Sequence, residues 1–307
     1  MNGVILVDKP QGVTSFDVVR QLRRFCGTRQ VGHCGTLDPL ATGLLPVAVG
    51  SATRLVEYLM ADEKEYLASF ALGAVTDTQD ATGQILESRP WQHITQEALT
   101  AACQPLTGAI EQLPPMFSAL KRDGVPLYKL ARQGVEIERT PRTVTISRLE
   151  ITAFTPPLAA LRVVCSKGTY VRTLIHDLGA RLGCGAHMTG LRRVRCGALH
   201  VDDSHTLVEL QGLAGSGQPL PLLTPAAAMA GYPAAAVLPA AWCRLANGVA
   251  PLLAEVDDVP DVQPGALLCL QVEGRLAAVA SLAPGGVGGR PGDFELHKVF
   301  PDAVLPA

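Results

Sequence analysis

No CxxC pair occurs among the eight cysteines of this 307-residue chain. That absence argues against a zinc site and against a disulfide framework, and leaves eight free, buried thiols in a reducing cytoplasm as the expectation. No apolar run reaches membrane-spanning length. No targeting segment is read at the start, where Asp8 and Lys9 follow an apolar stretch of only four residues, Val4 to Val7. HExxH, a Walker A loop, GxSxG and an EF-hand loop are all missing. A two-carboxylate glycosidase signature is also missing: the nearest acid pattern is TDTQD, with Asp77 and Asp80 among turn formers. Together these gaps point to chemistry that uses one carboxylate, with neither metal nor cofactor.

What is present is a core and a divided charge. Hydrophobic residues make up 48% of the chain, enough for a sizeable interior, and the length suits two domains. The net charge of −2 hides a balance of +5 over residues 1–200 and −7 over 201–307. Two blocks are strongly basic. Residues 162–195 carry Arg162, Lys167, Arg172, Arg181, Arg192, Arg193 and Arg195 against one acid, Asp177. Residues 118–148 carry Lys121, Arg122, Lys129, Arg132, Arg139, Arg142 and Arg148 against three. Twenty of the 26 basic residues are Arg, whose guanidinium fork fits phosphate. RNA or DNA is the expected partner.

The element pattern is mixed. GVILV (3–7) reads as a buried strand, and Ser15 as the cap of a helix through Val18, Val19 and Leu22. A strand begins near Tyr66. RTVTISRLEITAF (142–154) and LAALRVVC (158–165) continue the sheet. The elements lack regular βαβ alternation, which favours α+β. The Ala/Pro/Gly-rich stretch 213–241 marks a boundary zone, a linker or capping segment. GALLCLQVEGRLAAVASL (265–282) reads as a hairpin turning at Glu273-Gly274, within a small all-β module.

Two windows carry the chemistry. HCGTLDPLATG (33–43) places one carboxylate, Asp38, in a glycine-flanked stretch. On that window alone Asp-Pro is ordinary turn chemistry. In CSKGTYVRTLIHDLGARLG (165–183), Thr169 is read as an N-cap and Gly183 as a stop. Val171, Leu174, Ile175 and Leu178 form one buried stripe. Arg172 lies in the first turn, where a cation opposes the helix dipole at a cost of about 0.3–1 kcal/mol. Either Arg172 extends to water, or an anion stands beside it. If that anion is Asp38, the pair keeps the carboxylate ionised and fit to act as a nucleophile.

The chain resembles the TruB family of tRNA pseudouridine synthases. The matching segments are VDKPQGVTS (7–15), GHCGTLDPLATG (32–43), EKEY (63–66), TDTQDATG (76–83), SALKRDGVPLYKLARQG (118–134), CSKGTYVRTLIHDLG (165–179) and LRRVRCGAL (191–199). They run in the family's order over about two-thirds of the chain. Cys34 stands where another small residue is usual, and Phe117 where Tyr is common.

The resemblance implies an α+β catalytic domain around a bent, mostly antiparallel sheet, residues 1–233. A small C-terminal PUA-like β-barrel would follow, residues 234–307, although the acidic balance there is at odds with a strong RNA-binding role. It implies cofactor-free isomerisation of the T-loop uridine at position 55 of tRNA, flipped out of its stack. Asp38 matches the nucleophile, Tyr66 the aromatic that stacks on the base and takes or relays a proton, and Arg172 the carboxylate's partner. Asp80 matches a member of the same polar network, His33 the residue pushed into the T-loop, and Tyr170 and Leu191 the pocket walls. Lys9 and Lys167 match supporting lysines. Motifs beginning at residue 7 suggest a stand-alone monomer with no obligatory protein partner. Two other readings stay beside it: a guide-RNA-dependent relative, and a tRNA-folding chaperone whose catalysis is incidental.

Overall fold

The first and third strands, Gly3–Lys9 and Thr42–Val49, are buried almost throughout, and alternation explains why. Ile5, Val7, Leu45, Val47 and Val49 face one hydrophobic core, whereas Val4, Leu6, Leu44 and Ala48 face a second. A strand covered on both faces reads as a continuous apolar run, because successive side chains point opposite ways. The computed structural model describes residues 1–122, 124–285 and 292–301. Asp123 and the Lys121 side chain in the second basic block lie outside the described residues. So do 286–291 and 302–307 of the C-terminal module.

The main sheet runs His205–Thr206, Gly3–Lys9, Thr42–Val49, Ala186–Cys196, Lys64–Leu72, Leu158–Cys165, Arg142–Thr155, Gly108–Gln112. Val31–His33 and Leu199–His200 are attached off this path. Pairing is antiparallel except at Gly3–Lys9 with His205–Thr206 and Thr42–Val49 with Ala186–Cys196. The fold is α+β with large sheets. Tyr66, Ala68, Phe70 and Leu72 of the central strand all face the first core. The opposite face is closed by charge: Glu65 meets Arg162 Nη2 at 2.5 Å and Arg195 Nε at 3.1 Å.

The helix Val171–Arg181 packs its stripe Val171, Leu174, Ile175 and Leu178 into that core. Gly179 makes the approach feasible, since a Cβ there would stand 2.2 Å from the Ala186 amide. Two helix starts differ from the sequence expectation by one residue. Thr14, not Ser15, caps Ser15–Phe25, in a capping box with Asp17. Tyr170, not Thr169, is the N-cap position of Val171–Arg181, and its side chain makes no capping bond. The Thr169 hydroxyl donates instead to the Ser166 carbonyl at 3.0 Å.

The Ala/Pro stretch is structured. Leu223 exchanges backbone hydrogen bonds with Val4, Pro225–Ala228 is a short helix and Ala234–Val237 a strand. That strand joins a second, five-stranded sheet in the order Val256–Asp257, Ala234–Val237, Leu267–Val272, Arg275–Leu282, Phe294–Val299. The hairpin turns at Glu273 and Gly274, both at positive φ (49° and 73°), as a two-residue turn requires. The module is not all-β, because the helix Pro239–Ala246 lies within it. Among the described residues its pairings do not close into a barrel. This sheet supplies Leu268, Leu270 and Val279 to the second core, against Val4 and Leu44 of the main sheet.

Candidate active site

Asp38 opens a turn in which its carboxylate takes no part. The Ala41 amide donates to the Asp38 carbonyl at 3.0 Å, so Asp38-Pro39-Leu40-Ala41 closes a turn with proline at its second position. Among the described residues the carboxylate makes no hydrogen bond to that backbone. It faces Arg172 Nη2 at 3.4 Å. The loop is held from behind: the Leu37 amide donates to Ser15 Oγ at 2.8 Å, and the Gly12 amide to the Pro39 carbonyl at 2.8 Å. Ser15, expected as a cap, thus supports the carboxylate's loop.

Arg172 does not reach water. Its side chain is 5% exposed, and its other terminal nitrogen lies 3.8 Å from Asp80, which is itself buried. Nη2 also donates to the Phe117 carbonyl, and Nη1 to the Thr78 carbonyl at 3.5 Å. The first-turn cation therefore stands between two carboxylates, which offset both the helix dipole and its burial. Asp80 is fixed by Thr78 Oγ1 at 2.8 Å and the Thr82 amide at 2.9 Å.

A cavity of about 740 Å³ opens above this pair. Of the sequence candidates, Asp38, Tyr66, Lys167, Tyr170, Arg172 and Leu191 line it. Asp80, Lys9 and His33 do not. Asp80 is buried behind Arg172. Lys9 is fully buried and donates to the Pro10 and Val13 carbonyls at 2.9 and 2.8 Å. His33 ends the strand Val31–His33, half-buried, with its Nδ1 unpartnered.

Burial dominates the electrostatics. It pushes the Asp38 carboxyl above its usual value, Arg172 pulls it back, Asp80 adds to the rise and Lys9 opposes it. With 35% of its side chain exposed, Asp38 is a cleft wall group rather than a core one. Burial thus sets the net direction of the shift, and Arg172 is the largest influence opposing it. Burial drives Tyr66 up to about 12, against the nearby Arg193 cation, and Lys9 down to about 8. His33 is lowered by burial and then by Arg193.

Several lining residues escaped sequence reasoning. Arg193 is 1% exposed and faces Tyr66 directly across paired strands. In the sequence it is one Arg of LRRVR: strand alternation separates it from half-buried Arg192, and an irregularity in the pairing between Arg193 and Arg195 separates it from half-buried Arg195. Arg142 places its guanidinium 4.8 Å from the centre of the Tyr170 ring at the cavity wall. Behind the lining, fully buried Gln112 donates to the Tyr170 carbonyl at 3.0 Å and accepts from its amide at 2.8 Å, fixing the backbone of the residue that precedes the helix. Among the described residues no group of three His, Cys, Asp or Glu side chains is placed to hold a metal. All eight cysteines are free, but Cys243 is exposed and Cys26 half-buried, so burial holds for six.

Residues 23–171 match the model of the TruB family pseudouridylate synthase N-terminal domain, and 172–219 that of the tRNA pseudouridylate synthase B C-terminal domain. The chain is 48% identical over 302 residues to tRNA pseudouridine synthase B of Syntrophotalea carbinolica, covering 98% of this chain and 99% of that protein. It is 43% identical over 303 residues to the protein of the same name from Geobacter sulfurreducens, covering 98% and 100%. Among solved structures, a Cbf5-Nop10-Gar1 complex includes a chain that superposes with a TM-score of 0.77 at 25% identity, over 98% of this chain and 86% of that one.

Proposed function

The chain belongs to the TruB family of pseudouridine synthases, and from that premise we propose that the cavity beside Asp38 isomerises a T-loop uridine of tRNA. The enzyme converts uridine to pseudouridine in tRNA, with no net oxidation or hydrolysis. The observation that carries the site assignment is Asp38 facing Arg172 at 3.4 Å in a cavity that Tyr66 also lines.

Asp38 is the nucleophile. Its carboxylate adds to the flipped-out nucleotide, the C1′–N1 bond breaks, the base turns, and C5 bonds to C1′. The proton leaves C5 and N1 gains one. Arg172 favours the ionised form of the attacking group and offsets part of the burial that opposes it. With its hydroxyl driven to about 12, Tyr66 stays protonated at neutral pH and offers a ring face for stacking and an O–H that relays a proton. Tyr170 and Leu191 wall the base. Asp80 anchors Arg172 from behind, and Lys9 supports the Asp38 loop. His33 occupies the place the uridine vacates, offsetting part of the few kcal/mol that unstacking costs. Arg142 and the exposed Lys167 supply cations at the cavity for the backbone phosphates.

The module from residue 234 onward is read as a PUA-like RNA-binding appendage to a catalytic domain of residues 1–233. Its two-residue hairpin supports this, and its acidic balance makes its share of the affinity small. The protein works in the cytoplasm as a monomer on tRNA alone. The near-complete match to tRNA pseudouridine synthase B at 48% identity favours this over the guide-RNA-dependent reading. The test is single-turnover pseudouridine formation on an unmodified T-arm stem-loop, with a binding titration alongside. Product from wild type only, with binding by both wild type and Asp38→Ala, supports the assignment. Binding by both without product from wild type favours the chaperone reading.

A further inference from the structure

The loop that carries Asp38 has two ends, and one side chain holds both. Arg193 Nε donates to the Leu44 carbonyl at 2.7 Å, and its Nη2 to the Gly35 carbonyl at 3.1 Å. Between those carbonyls runs Thr36 to Gly43, with Asp38 inside. The backbone of Arg193 is fixed to the same loop end by its pairing with Gly43, where φ is +96° and a Cβ would stand 2.3 Å from the Arg193 carbonyl.

Arg193 is 1% exposed, and among the described residues no carboxylate pairs with it. A buried guanidinium without an anion is costly, and its two carbonyl bonds, with a further bond to the Tyr66 hydroxyl, offset that cost. A lysine would hold one point charge but cannot span two carbonyls with a rigid fork. Its neighbour Arg192, by contrast, makes a bidentate pair with Asp8 at 2.9 and 2.8 Å.

We propose that Arg193 is a positioning residue that clips the Asp38 loop shut, so that the carboxylate stands at Arg172 before substrate arrives. This rests on the reading of Asp38 as the reacting carboxylate. The clip works on geometry, and its removal leaves the RNA-binding surface intact. A misplacement of about 1 Å at a reacting group costs on the order of 10²-fold in rate.

The decisive variant is Arg193→Lys, which keeps the cation beside Tyr66 and loses the fork. Its single-turnover rate on the T-arm stem-loop is expected to fall about 10²-fold with the tRNA dissociation constant unchanged. Hydrogen exchange at the Leu37 and Ala41 amides is expected to quicken relative to the core strands. A wild-type rate in Arg193→Lys overturns the clip. A rate loss matched by an affinity loss makes Arg193 a binding residue. A variant that does not fold makes it a stability residue, and either result also overturns the proposal. If wild type itself makes no product, the Asp38 reading fails. The amide exchange of the free protein still tests the clip.

Discussion

Replacing Arg172 with methionine keeps the stem and removes the charge between two carboxylates. At an effective dielectric near 20, a unit-charge pair at the 3.8 Å separating Arg172 from buried Asp80 attracts by about 4 kcal/mol. Desolvation cancels part of that in the intact pair, but removing one partner leaves Asp80 buried and uncompensated, at roughly 3–5 kcal/mol. The hydrogen bonds Asp80 accepts from Thr78 and Thr82 survive and hold the loss near the lower end, about 3 kcal/mol. With about 2.1 cal/mol/K of unfolding entropy per residue over 307 residues, the midpoint falls by about 5 °C. The check is a thermal-melt cycle with Arg172→Met, Asp80→Asn and the double variant. In the double variant the Asp80 charge is gone, so much of the loss returns, with a coupling of about 2 kcal/mol. The same variant removes the main influence holding the Asp38 carboxyl down, leaving burial and Asp80 to raise it. The acid limb of the single-turnover rate therefore moves to higher pH. Strictly additive melts, together with an unmoved acid limb, would refute the reasoning.

Three further outcomes are expected. Asp38→Asn melts higher than wild type at neutral pH. The folded-state carboxyl lies above its unfolded value, so the folded chain holds the proton more tightly and stability falls as pH rises through that interval. The advantage of Asp38→Asn vanishes below the unfolded carboxyl value of about 3.9, and a melt series across pH reads it. A thiol reagent added to native protein labels exposed Cys243 first and half-buried Cys26 more slowly. It spares the other six, including Cys34, pushed up to about 12. Full modification without denaturant would show the core to be open. Lys167→Ala weakens tRNA binding at low salt and lowers the slope of log K against log salt by about 1, read from titrations over a salt series.

The strands were legible because strands announce themselves by alternation or by unbroken apolar runs. The 142–154 and 158–165 windows became Arg142–Thr155 and Leu158–Cys165. Helix starts were less so. Thr14 and Ser15 are chemically interchangeable as caps, and what separates them is the tertiary pull of the Leu37 backbone on the Ser15 hydroxyl. The Thr169 hydroxyl turns back to the Ser166 carbonyl, and Gln112, distant in sequence, holds the Tyr170 backbone at the helix start. Asp38, Tyr66 and Arg172 could be named from motif order. Which side chains share one cavity depends on long-range pairing, and no window encodes it. Arg193 shows the limit best. In LRRVR three arginines look alike, yet Arg192 binds Asp8, Arg193 is sealed inside and Arg195 joins Glu65 on the outer face. The C-terminal helix Pro239–Ala246 starts inside the Ala/Pro/Gly-rich stretch 213–241, whose composition reads as linker.

The wall behind Asp38 is unusual in its charge. Lys9, Arg172 and Arg193 are all buried there, and the acids that lie among them are Asp38 and Asp80. Such a cluster opposes folding: burial lowers Lys9 to about 8, with Arg193 adding to the fall and Asp38 resisting it. Lys9 still keeps its charge at neutral pH. The excess of buried cations favours an ionised Asp38 and draws an anionic polymer to the mouth of the cavity. The cost is carried by a sheet whose strands Gly3–Lys9 and Thr42–Val49 are packed on both faces, so that the loop between Gly35 and Leu44 need not be stable on its own. A carboxylate raised by burial, beside cations that contribute nothing to the apolar core, is what a stability-for-activity exchange predicts for Asp38 in the role proposed for it. The higher melting expected of Asp38→Asn is the direct measure of that exchange.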